Sequence, residues 1–129
     1  AEAMGVHGII FPAKGTAMLN EFSIKASAGS LLRLPLVRVR SLENALSEIK
    51  LSGLKILGAD VHAQQTVENI SLIEPMAIVM GSEGEGMRPH IQRTLDERFS
   101  IPQTGVTESL NVSVATGIVL YQAQIARMK

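Results

Sequence analysis

Gly81, Gly84 and Gly86 follow an unbroken apolar run, Met76 to Met80, and carry Glu83 and Glu85 between them. Glycines at the end of a buried strand let the backbone turn tightly and approach a ligand closely. Their spacing, G-x-x-G-x-G, differs from the dinucleotide fingerprint G-x-G-x-x-G, and no Gly-Lys-Ser/Thr follows to make a phosphate loop. The two glutamates would repel a triphosphate and suit a cation such as a sulfonium, or a ligand hydroxyl. On this loop alone, a tight strand-to-helix turn with solvated glutamates is the simpler reading.

A second polar segment stands some twenty residues on, Ile101-Pro102-Gln103-Thr104-Gly105-Val106-Thr107-Glu108-Ser109-Leu110-Asn111-Val112-Ser113. Pro102 to Gly105 has turn chemistry, and Thr107 or Ser109 is the expected cap of a long helix. That places Asn111 in the first helical turn, beside free N–H groups and the positive end of the helix dipole, where anions or oriented hydroxyls bind well. Ile101 and Leu110 could wall in a flat base. Taken singly, an ordinary capped helix with Asn111 facing solvent explains the same residues.

The elements that must position these loops alternate along the chain. Gly8 to Phe11 reads as a short buried strand stopped by Pro12, and Leu36 to Val39 as the next strand. Between them, residues 16–28 have helical spacing, ended by Gly29. Ser41 is placed to cap a helix whose Leu42, Ala45, Leu46 and Ile49 line one face, with Gly53 as its stop. Leu54 to Gly58 returns as a strand, and residues 59–74 are polar without a clear period. The run Met76 to Met80 is expected to be a central strand covered on both faces. A helix near residues 88–95, a strand over Phe99 to Ile101 and a final helix from about Ser109 to Met128 complete the series. Such alternation predicts an α/β fold, a mainly parallel sheet flanked by helices.

Composition bounds the function classes. The chain has 129 residues, 46% hydrophobic and 19% charged, which gives one globular domain with enough apolar surface for a core. Aromatics are 3% and Trp is absent, so that core is aliphatic. With no Cys there is no disulfide framework or thiolate metal site, a pattern compatible with a reducing cytoplasm. His7, His62 and His90 lack metal-ligand spacing, and no metal is assigned. The first residues given lack the basic stretch and apolar run of a signal peptide, and Asn111, Gln122 and Gln124 interrupt the most apolar helix, so no membrane span is expected there. The formal net charge is +0, so attraction to nucleic acid would have to be local. Arg33, Arg38, Arg40, Arg88, Arg93 and Arg98 are the candidates, each more simply a solvated surface arginine. Tyr121 and the methionines suit core or dimer-interface packing better than cofactor contact.

In this order and at this spacing, the two loop segments resemble the SpoU-type ribose 2′-O-methyltransferases of the SPOUT superfamily. The family carries a hydrophobic strand running into G-x-E-G-x-G and, later, I-P leading through a turn into S-L-N-V-S. Residues Ile78 to Gly86 and Ile101 to Ser113 match this nearly letter for letter. The resemblance extends over essentially the whole chain and is nearest to enzymes that methylate a guanosine ribose in ribosomal RNA.

The resemblance implies a C-terminal segment threaded into a deep trefoil knot, against general topology rules. It also implies S-adenosylmethionine bound in that knot, a homodimer, and a structured RNA substrate in the cytoplasm, either ribosomal or transfer RNA with ribosomal RNA favoured. Gly81, Ile101 and Leu110 would contact the cofactor mainly through backbone groups, with Ala59 bordering the same pocket. Glu83, Ser109 and Asn111 would form the polar catalytic set that orients the target nucleotide. The family's N-terminal motif N-x-G-x-x-x-R-T-A supplies an arginine thought to assist deprotonation of the ribose hydroxyl. Here Ala1-Glu2-Ala3-Met4-Gly5-Val6-His7-Gly8 matches the residues just after that arginine, so residues 1–129 read as the catalytic domain without its first strand and first motif. The expectation is that the native protein extends upstream, with the arginine motif and an RNA-binding domain. The alternative is a noncatalytic knotted dimer that binds RNA or serves assembly; a nucleotide-binding oxidoreductase fails on glycine spacing.

Overall fold

The computed structural model describes residues 2–12, 34–81, 87–105 and 110–129. The chain divides into two compact units, Ala1–Ala45 and Leu46–Lys129. The helix expected over residues 16–28 lies outside the described residues.

In the first unit a 3-10 turn, Glu2–Met4, precedes strand β1 (Ile9–Pro12), which pairs in parallel with β2 (Leu36–Val39). The register runs from Ile9↔Leu36 to Pro12↔Val39. Pro12 therefore ends the ladder as its last member rather than stopping the strand before it, a place where a missing N–H is tolerated. The strand is also less covered than expected: Ile10 and its register partner Val37 are both exposed, on one face of the pair. The Arg38 guanidinium lies 5.8 Å from the centroid of the Phe11 ring, a cation–π distance.

Helix α1 (Leu42–Leu51) forms where its caps dictate. The Ser41 hydroxyl accepts the Asn44 N–H at 3.1 Å, and Glu43 and Lys50 stand at the ends of the helix dipole that favour their charges. At the C-terminus Gly53 has φ +97°, which a side chain disfavours. Its N–H donates to the Lys50 carbonyl at 3.0 Å and that of Leu54 to Ile49 at 3.4 Å, closing a Schellman motif.

The second unit is built on a parallel sheet of order β4-β3-β5, from β3 (Lys55–Ala59), β4 (Met76–Met80) and β5 (Glu97–Phe99). Among the described residues the middle strand of this sheet is β3, with Ile56 and Leu57 fully buried, rather than β4 with its unbroken apolar run. An apolar run reports coverage of a strand's faces; strand order depends on crossovers that leave no local signal. A 3-10 turn, Val67–Asn69, organises part of the polar stretch after β3. The helix expected near residues 88–95 is a single turn, α2 (Pro89–Gln92), because the chain must leave it for Asp96 N–H to reach the Ile56 carbonyl at 2.8 Å.

Helix α3 (Val112–Met128) lays Ala115, Val119 and Ala123 on the sheet, a stripe of spacing four. Val119 and Ala123 join Leu57, Val67, Leu72 and Phe99 in the core. At its far end the Arg127 side chain donates to the Leu72 carbonyl through Nε and to the Glu74 carbonyl through Nη2, both at 3.1 Å. Among the described residues no helix is long and apolar enough to cross a membrane.

Asp96 anchors the amino end of the sheet, just before β5. Its Oδ2 accepts the Ile56 N–H at 2.7 Å, and its Oδ1 meets Lys50 Nζ at 3.2 Å. The Ile56 N–H, and secondarily Lys50, hold this carboxyl below its ordinary value of 3.8. A carboxyl depressed on folding adds stability that is present above its unfolded pKa and lost as pH falls toward the folded one. Asp96→Asn should therefore cost about 1 kcal/mol at pH 7, the low end for a charged acceptor because the side chain is 35% exposed. The deficit should shrink below about pH 4. Urea midpoints of both proteins at pH 3 and pH 7 check this; parallel curves would refute it.

Candidate functional site at the carboxyl edge of the sheet

The three parallel strands end level with one another. Ala59 is the register partner of Met80 on one side and of Phe99 on the other. With strands about 4.8 Å apart, these ends span about 10 Å. Gly81 is one residue beyond Met80 and Ile101 two beyond Phe99, so Ala59, Gly81 and Ile101 are gathered at one edge, each half-buried. Ligands of open parallel sheets bind outside the carboxyl ends of the strands.

The N-terminus of α3 joins this edge. Ile101 and Pro102 share the wall of a groove of about 710 Å³ with Val114, Gly117 and Ile118 of α3. Leu110 is half-buried immediately before the helix. Asn111 is its N-cap, not a residue of its first turn: Oδ1 accepts the Ser113 N–H at 2.8 Å, and the Asn111 carbonyl accepts the Ala115 N–H at 2.9 Å. The expected caps Thr107 and Ser109 lie outside the described residues, as does Glu83. With its oxygen engaged, Asn111 turns its amide Nδ2 outward as a donor, without a partner among the described residues. No acidic residue stands in the first turn of α3 to offset its positive end.

Strand β5 begins and ends two residues before its expected place, at Glu97–Phe99, and the reason bears on the site. Successive residues of a strand turn their peptide groups to opposite edges. The Phe99 carbonyl faces β3 and accepts the Asp60 N–H at 2.8 Å. Ser100 faces the other way, donating to the Gln65 carbonyl at 2.8 Å and accepting from Val67 N–H at 2.9 Å. Residues 60–65 thus pass from one edge of β5 to the other across its carboxyl end.

Several residues that hold this edge carry no motif. Gly58 has no room for a side chain, since a Cβ there would fall 2.4 Å from Leu95 Cδ1 and 3.0 Å from Met87 Cε. Met87 is the first described residue after the glycine-glutamate segment, and its carbonyl accepts from Gln92 Nε2 at 2.8 Å. Only the Gly58 to Ala59 run of small residues hinted at such close packing.

The remainder of the 710 Å³ groove is lined by Val67, Glu68, Tyr121 and Gln122, so among the described residues Ile101 is the one expected site residue that it holds. Tyr121 is 55% exposed and belongs to no core. Among the described residues no cluster of His, Asp and Glu is placed to hold a metal ion. Arg38, Arg40, Arg88, Arg93 and Arg98 are all exposed, while Arg33 lies outside the described residues.

A parallel sheet with small residues at its strand ends, beside a capped helix N-terminus, defines an α/β protein with a built ligand edge. Residues 1–121 match the SpoU rRNA Methylase family, to which the chain belongs. It is 42% identical over 123 residues to the 23S rRNA (guanosine-2′-O-)-methyltransferase RlmB of Photorhabdus laumondii, covering 95% of this chain and 50% of that protein. The SpoU methyltransferase AviRb of Streptomyces viridochromogenes, solved in complex with the cofactor AdoMet, superposes with TM-score 0.89 at 29% identity, over 98% of this chain and 52% of that one. The A. aeolicus TrmH/SpoU tRNA modifying enzyme gives TM-score 0.86 at 32% identity, over 98% and 64%. The chain spans about half the length of the curated relatives it matches.

Proposed function

We propose that this chain carries the catalytic domain of an S-adenosylmethionine-dependent RNA 2′-O-ribose methyltransferase acting on ribosomal RNA. The observation that carries the proposal is the convergence of Ala59, Gly81 and Ile101 at one sheet edge beside Asn111. These residues fit the cofactor: Ala59 and Gly81 leave room for close backbone approach, Ile101 and Leu110 offer apolar walls, and the helix N-terminus offers N–H donors. When bound, the cofactor supplies a methyl group already activated by a positive sulfur.

The protein's own part is alignment. The Nδ2 donor of Asn111, fixed by the cap, holds an oxygen of the target nucleotide, while Ser109 and Glu83 complete the polar set. Deprotonation of the attacking hydroxyl is assigned to none of these residues, since the arginine of the family's first motif is not among the 129. The trefoil knot is part of the proposal, supported by residues 60–65 straddling the carboxyl end of β5. So is a homodimer, with the exposed Val114 and Tyr121 and the half-buried Ile118 of α3 as the face of contact. An RNA substrate of this kind implies a cytoplasmic enzyme. No observation favours the noncatalytic alternative.

Calorimetric titration of S-adenosylmethionine and S-adenosylhomocysteine into the folded chain tests the cofactor reading, with micromolar or tighter binding expected. Transfer of a labelled methyl group to a ribosomal RNA fragment, abolished when the target ribose is 2′-deoxy, tests the reaction. A folded chain that takes up neither ligand overturns the proposal.

A further inference from the structure

Asp60 is a carboxylate at the end of an apolar strand, and its side chain is only 17% exposed. Such a group persists where its hydrogen bonds are met. Its Oδ1 accepts the His62 N–H at 2.9 Å, and its Oδ2 lies 3.3 Å from Arg98 Nη1. Its backbone is equally engaged, the N–H with the Phe99 carbonyl at 2.8 Å and the carbonyl with Ala63 N–H at 3.0 Å. Asp60 is therefore the point at which residues 60–65 depart from β3 to cross the end of β5.

Both ends of that crossing bear on the proposed cofactor pocket. Ala59 adjoins Asp60, and Ile101 follows Ser100, which Gln65 and Val67 hold at the far end. We propose that Asp60 is a positioning residue whose turn fixes the crossing loop, and thereby sets cofactor affinity at Ala59 and Ile101; this rests on the function proposed above. The two contacts of its carboxylate are unequal. Arg98 is half-exposed and offers one long contact, so the pair contributes little. The Oδ1 bond to His62 closes the turn and carries most of the effect.

The test uses the full chain and its Asp60→Ala and Asp60→Asn variants, titrated with S-adenosylhomocysteine well below their unfolding temperatures. Asp60→Ala should weaken binding about tenfold, the loss of one ordering hydrogen bond. Asparagine keeps the oxygen that faces His62 and should restore affinity to within about threefold of wild type. In the unliganded proteins, alanine should speed amide exchange at His62, Ala63 and Ser100 while leaving Ile56 and Leu57 unchanged. Wild-type affinity in the alanine variant, no recovery with asparagine, or faster exchange throughout β3 would each overturn the inference. If wild type also fails to bind, the cofactor reading falls and this inference with it, an outcome told apart by the wild-type titration alone.

Discussion

Phe99→Ala is expected to destabilise the second unit by about 3–5 kcal/mol, the usual cost of emptying a fully buried aromatic site. Phe99 has 0% exposure and packs with Leu57, Val67, Leu72, Val119 and Ala123, so sheet, 3-10 turn and helix all lose a common neighbour. A typical domain holds only about 5–15 kcal/mol in all. The unfolding temperature should fall by about 10–20 °C. Differential scanning calorimetry measures this, and a shift of a few degrees would mean that the sheet and α3 collapse into the space. Phe99→Leu should recover much of the loss because it refills most of the volume.

At Asn111 two roles are combined, and two substitutions separate them. Asn111→Ala removes both the acceptor for Ser113 N–H and the outward amide donor. Loss of an N-cap costs about 1 kcal/mol of stability. If the donor orients the target nucleotide as proposed, methyl transfer should fall about 100-fold or more, as for other preorganised donors. Asn111→Asp keeps the cap oxygen and adds a negative charge at the positive helix end, so stability should hold or rise by a few tenths of a kcal/mol. Transfer should nonetheless remain about 100-fold down, because a carboxylate cannot donate. Single-turnover rates beside urea midpoints resolve the pair. Normal transfer by the stable aspartate variant would remove Asn111 from the catalytic set and leave it a cap.

Local chemistry made much of the fold legible. Met76 to Met80 and Leu36 to Val39 are strands at the expected residues, and Ser41 and Gly53 bound their helix because a hydroxyl acceptor and a positive φ act within a few residues. Errors arose where the deciding partner is distant in sequence. Strand β5 ends at Phe99 because Ser100 turns to Gln65 and Val67. The start of α3 at Val112 is a local matter, since Asn111 itself is the cap where Thr107 or Ser109 was expected. The sheet order placed β3 at the centre although β4 has the more continuous apolar run. Of the proposed site, the two motif segments were plain, and Ala59, Gly81, Ile101, Leu110 and Asn111 stand at or just beyond strand ends or at the helix start. Asp60, Gly58 and Gln92 were not, since each acts through a neighbour that only the folded chain supplies.

The pairings of β3 also set a timetable for synthesis. Lys55 pairs with Met76 and Leu57 with Glu97, so one partner of the central strand emerges about 20 residues later and the other about 40. At about 5–20 residues per second, the second edge of β3 waits for seconds on a growing chain. Ile56 and Leu57, sealed from water in the finished protein, stand open during that interval. Non-local parallel pairing of this kind folds slowly once released. A nascent chain of this design thus carries its middle strand with one edge unpaired by β5 until that strand is made.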